Sequence, residues 1–107
     1  MKEDNKIRVY VKEPGRSPEL KEVDNTLEAL QKIVGGFIET VSIADNAVII
    51  CNEEGRLKDL PYNCSLFGGD YVGTIILAGV DEDEFDDWQL SPSSTKVLFP
   101  YLWEEPS

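Results

Sequence analysis

The run Val72–Val80, VGTIILAGV, constrains the fold of this chain more than any other segment. It is the most apolar stretch present, it is rich in β-branched side chains, and it is far shorter than the ~20 residues of a membrane-spanning helix. A strand of that character is buried on both faces and belongs at the centre of a sheet. Other segments supply its neighbours. KIRVYVKE alternates Ile7, Val9 and Val11 against Arg8, Tyr10 and Lys12, the period of a half-buried strand. PGRSP breaks it, and ELKEVD reads as a short return strand. FIETVSI and AVIICN are β-rich and separated by ADN, a hairpin turn.

Helical signals occur twice. In DNTLEALQKIVGGF, Leu27, Leu30, Ile33 or Val34, and Phe37 recur near period 3.6. Asn25 or Asp24 is the expected cap, with Glu28 three residues after Asn25, and Gly35-Gly36 supplies the stop. SPSSTKVLFPYLW opens with Ser91 as N-cap and Pro92 at the first helical position, so a short helix is expected up to Pro100. GRLKDLPYN reads as one helical turn ending before Pro61, FGGDY as a turn, and DEDEFDDWQL as an acidic loop. No internal repeat and no linker interrupts residues 1–107. The expectation is a single α+β domain. It has a mainly antiparallel sheet of about five strands, one main covering helix and a second short C-terminal helix.

Charge narrows the class of partner. Net charge is −11, and residues 1–32 balance seven bases against seven acids. Residues 33–107 hold only Arg56, Lys58 and Lys96 against fourteen acids, so the whole excess lies in the later part. Phosphate-backbone binding and anionic membrane surfaces demand the opposite sign. The N-terminus passes from charges straight into a strand pattern without the apolar core of a signal peptide, so the cytoplasm is expected. Cys51 and Cys64 are then expected to be reduced thiols.

Few chemistries remain open. The chain has no histidine, which removes Ser-His and Cys-His pairs and His-containing zinc sites. Cys51 ends an apolar strand and reads as a small core residue, while Cys64 is expected in a more exposed loop. DEDEFDDW places six acids in the seven positions before Trp88, but Phe85 and Asp86 stand where a calcium loop needs Asp or Asn and then Gly. Three readings of the segment remain: a solvated loop, a low-affinity divalent site, or a surface of Asp81, Asp83, Asp86 and Asp87 that meets a basic protein with Phe85 and Trp88 as anchors. The Gly pairs at 35–36 and 68–69 match neither the P-loop nor the dinucleotide fingerprint. No cofactor, metal or catalytic residue is expected.

Several motifs recur in order: Glu13-Pro14-Gly15, DNTLEALQ at 24–31, VGGFIE at 34–39, NEEG-x-L at 52–57 and LP-x-N at 60–63. Together they resemble a small family known only as a domain of unknown function, met in Firmicutes, their phages and conjugative elements. The resemblance covers roughly residues 9–84 and brings no assigned catalytic residues. Members often carry a basic residue after the Asn of LP-x-N; here Cys64 stands there. The mobile-element setting implies a small non-enzymatic protein that counters host defence from the host cytoplasm by binding something. One version sequesters a nucleotide-derived immune signal between Gly35, Gly36, Glu39, Asn52, Glu53 and Asn63, because an amide side chain both donates and accepts. A second version uses the acidic face as a DNA mimic or to dock on a basic host protein, and a third is an interaction module without a defence role. The apolar cluster Phe99, Tyr101, Leu102 and Trp103 is expected to pack on the sheet or in a homo-oligomer contact.

Overall fold

The computed structural model describes residues 5–103. The elements run β1 (Lys6–Lys12), β2 (Glu19–Asp24), α1 (Leu27–Val34), β3 (Ile38–Ala44), β4 (Ala47–Asn52), β5 (Tyr62–Leu66), β6 (Gly69–Val72), β7 (Ile75–Asp81), β8 (Glu84–Asp86), α2 (Pro92–Leu98) and a 3-10 turn (Pro100–Trp103). The main sheet has the order β2-β1-β7-β4-β3, with β8 added beside β7, and all its pairings are antiparallel. The apolar run is indeed the centre: Ile75, Ile76, Leu77 and Ala78 of β7 are buried, and β1 and β4 flank the strand.

Alternation along the strands sorts the core into two layers. Val9, Val48, Ile50 and Ile76 meet Leu30 and Val34 of α1 on one face. Tyr10, Ile49, Ile75 and Leu77 project to the other face. There they are covered by Leu66 and Tyr71 of the β5–β6 hairpin and by Leu102 beyond α2. Phe99, Leu102 and Trp103 of the expected C-terminal cluster thus pack on the sheet, with Trp103 edge-on to Tyr10 at a ring separation of 5.7 Å, while Tyr101 stays exposed.

Four local expectations change. The helix cap is Thr26, whose hydroxyl accepts from Ala29 N at 3.1 Å; Asn25 is engaged instead with the carbonyl of Phe85. The segment around FGGDY is more than a turn, since it joins β5 to β6 in a two-stranded sheet of its own. The acidic segment contains a strand: Glu84–Asp86 folds back on Gly79–Asp81. Cys64 is buried on β5 and not exposed in a loop, because β5 lies face-down on the sheet. Gly79 permits the chain to leave β8, since a Cβ there would collide with the carbonyl oxygen of Asp87 as it crosses overhead.

Candidate functional site

The residues expected to bind a ligand fall into two places. Gly35 ends α1 in the left-handed region (φ 83°), and its N–H and that of Gly36 both reach the Gln31 carbonyl. Asn52, buried at the end of β4, donates from Nδ2 to the Val34 carbonyl (3.1 Å) and accepts at Oδ1 from Glu54 N (2.8 Å). A Cβ on Gly36 would stand 2.9 Å from that Nδ2, so the glycine makes room for the amide. Gly35, Gly36, Asn52 and Glu53 therefore come together around the end of α1, and Asn52 serves main-chain groups there.

Asn63 lies elsewhere, at an irregularity of β5. Its Nδ2 donates to the carbonyls of Lys12 (2.8 Å) and Gly73 (2.7 Å), which uses both amide protons. Its buried Oδ1 has no partner among the described residues. Beside it Lys12 is also buried, and desolvation lowers its pKa against the opposing influence of Cys64. Burial raises the Cys64 thiol, with Lys12 opposing.

A cleft of about 250 Å³ opens between β3, the turns after β4, and β6. It gathers Glu39, Asn52 and Glu53 from the expected set and adds Arg56, Asp70 and Tyr71. Arg56 is held by a 2.8 Å bond to the Asp70 carbonyl. Three carboxylates against one guanidinium make the cleft favour positive or uncharged polar groups over phosphates. At its inner wall burial, with the Glu39 charge adding, pushes the Cys51 thiol up to about 11. Burial likewise raises Tyr71. A thiol held protonated is a poor nucleophile.

The second cavity is a groove of about 410 Å³ on the same face of the sheet. Ile43, Ala44, Ala47, Phe67 and Leu98 form its walls with Phe99, and no charged residue lines it. Trp88 also lines it, buried and fixed by a 2.8 Å bond from Nε1 to the hydroxyl of the fully buried Thr95. Phe67 and Leu98 stay 64% and 56% exposed, a large apolar surface for a chain this acidic. Val80 N donates to the Asn46 carbonyl, which sets the β3–β4 turn with Asp45 beside the β7–β8 hairpin. Exposed Asp81, Glu82, Asp83 and Glu84 belong to that hairpin, next to the turn from which Asn46 lines the groove.

The acidic set also divides. Asp87 accepts from Arg8 N at 2.7 Å and Asp86 from Asp87 N at 2.8 Å, so these two carboxylates help hold the fold. Phe85 packs half-buried against the α1-side cluster, and Trp88 is core. Neither aromatic stands free as an anchor. The sequence reading missed Phe67 and Leu98 and took Phe99 for packing alone; the one visible sign was Phe67, an aromatic residue placed in a Gly-rich turn. Among the described residues no group of three His, Cys, Asp or Glu side chains is placed to hold a metal ion, and no helix is long and apolar enough to cross a membrane.

What fold and site define is an α+β domain with one sheet face covered by a helix and the other opening into a polar cleft and an apolar groove. A family model described as a domain of unknown function, DUF3846, matches residues 7–98, and the chain belongs to that family. No curated protein and no solved structure matches it.

Proposed function

We propose that the chain is a non-catalytic binding protein that docks on a partner protein presenting apolar side chains flanked by Lys or Arg. The carrying observation is the uncharged groove of about 410 Å³, bordered by a turn that adjoins the acidic β7–β8 hairpin, in a chain of net charge −11. An apolar core with a charged rim is the usual anatomy of a protein interface, and the rim sets association rate and partner choice. The family resemblance points to a phage or mobile-element setting, so the partner is a host defence protein in the cytoplasm of a Firmicute host. Leu98→Glu tests this directly, because it places a carboxylate in the groove at an exposed position. Wild-type chain immobilised on beads should retain a partner from host lysate that elutes with salt, and the variant should not. Identical retention by both would refute the reading.

A second reading rests on the cleft. It brings Glu39, Asn52 and Glu53 around one opening of about 250 Å³, as sequestration of a small immune signal requires. Its acid excess favours the base and ribose parts of such a signal over its phosphates. Calorimetry against cyclic nucleotides and cyclic ADP-ribose isomers tests it, and absence of heat across that panel would remove it.

A further inference from the structure

β3 is an outer strand of the main sheet, and among the described residues nothing pairs with its far edge. The bond from Glu53 N to the Phe37 carbonyl sets the ladder phase. With Ile38 opposite Asn52, positions 37, 39 and 41 bond to β4, so the N–H and C=O of Ile38, Thr40 and Ser42 point outward. The two sheet edges are built differently. At the other edge, β2 carries Glu19, Lys21, Glu22 and Asp24 in six residues, the usual guard against unwanted pairing. β3, IETVSIA, has one charge in seven residues, with no Lys or Pro. An unguarded edge is a template for another strand.

Both cavities border this strand on one face. Glu39 and Val41 line the polar cleft, and Ile43 and Ala44 line the apolar groove. Val41 and Ile43 pack on the same core cluster, and Glu39 shares their parity. Four residues, about 13 Å of strand, separate the Glu39 end from the Ile43 end. An irregularity between Ser42 and Ala44 ends regular pairing there, so the available edge is about five residues long.

We infer that the partner segment docks as an added β-strand along β3, with an apolar side chain in the groove and a Lys or Arg four residues away in the cleft. Side chains of an extended strand at i and i+4 share a face at this same spacing, so one segment reaches both cavities. The apolar member meets the uncharged walls around Phe67 and Leu98, and the basic member meets Glu39, Glu53 and Asp70, where acids outnumber Arg56. Main-chain bonds to Ile38, Thr40 and Ser42 supply affinity and the two cavities supply selectivity. This rests on the docking reading and names its mode.

The test uses the full chain panned against phage-displayed random nonapeptides, followed by synthesis of the selected peptides. Apolar and basic residues four apart should recur among them. On binding, amide exchange of Ile38, Thr40 and Ser42 should slow about tenfold or more by NMR. Thr40→Pro removes an outward N–H without breaking the β3–β4 ladder, and should weaken binding about tenfold or more. Leu98→Lys should weaken the same peptides. If Leu98→Lys weakens binding while exchange at the three amides and the Thr40→Pro affinity stay unchanged, the groove is a docking site and the added strand is wrong. If no peptide is selected, both readings fall. Self-association of the wild type that disappears in Thr40→Pro would assign the edge to a second copy of this chain and overturn the peptide proposal. Because the exchange measurement uses wild-type protein, a misfolded Thr40→Pro does not rescue the idea.

Discussion

The side-chain amide of Asn52 donates a 3.1 Å hydrogen bond to the carbonyl of Val34, the last residue of α1. A helix leaves its final carbonyls without internal donors, and burial makes that costly. Asn52 supplies a donor from β4 and returns its own oxygen to Glu54 N, so one side chain ties helix, strand and following turn together. Asn52→Ala should therefore lower stability by about 1–3 kcal/mol. Asn52→Asp should cost more, because a carboxylate would face a carbonyl at the negative end of the helix. Urea unfolding of both variants checks the order; equal stability of wild type and Asn52→Ala would contradict the assignment.

Asn63 plays a comparable part fifty-one residues from its β1 partner. Asn63→Ala deprives the Lys12 and Gly73 carbonyls of donors, partly offset by removing the unpartnered Oδ1. The expected loss is about 2 kcal/mol of stability. Ligand or peptide affinity per folded molecule should be little changed. An unchanged urea midpoint with a large loss of small-molecule binding would return Asn63 to the role of a ligand reader.

These two residues show what was legible in the sequence. The Asn-containing motifs stood out, yet their role depends on acceptors ten to fifty-one positions away. α1 was legible because its apolar spacing and its glycine stop are local. Its cap shifted by one residue because Asn25 is drawn across sixty positions to Phe85, leaving Thr26 to serve Ala29. β5, β6 and β8 were not seen as strands. They are short, polar in part and defined by pairing, and the five acids around Glu84 mask the pattern. The groove was invisible because its walls come from β3, the β5–β6 turn, the segment after β8 and the end of α2.

Gly79 allows a crossing that the fold depends on. Asp87 passes directly over it, and there Arg8 N donates to the Asp87 carboxylate while the Arg8 carbonyl accepts from Trp88 N. Gly79→Ala forces the Asp87 backbone outward and should cost at least ~2 kcal/mol. The disturbance should reach Trp88 and the groove it lines. A lower melting temperature with a red-shifted tryptophan emission is expected, and a native emission spectrum at native stability would show that the crossing has slack.

Alkaline pH should destabilise the protein through groups that burial keeps protonated. Cys51 is raised from 9.0 to about 11, and Cys64, Tyr10 and Tyr71 are raised in the same direction. For each, the native state holds its proton more tightly than the unfolded chain. The stabilisation is complete below the unfolded pKa and disappears as pH rises through the folded one. Lys12 works the other way. Its lowered pKa means that burying the ammonium costs stability at neutral pH, a cost relieved as pH climbs toward 10.5. Four raised groups against one lowered group predict a falling urea midpoint between pH 9 and 11. Cys51→Ala should flatten that fall, and Lys12→Met should steepen it while raising stability at pH 7. Thiol labelling supplies the independent check. At pH 8 neither cysteine should react except through unfolding, so labelling should accelerate with urea in step with loss of structure. A midpoint that stays level to pH 11, or a Cys51 that labels at once in the native protein, would show that the thiol is not held in the buried wall where the structure sets it.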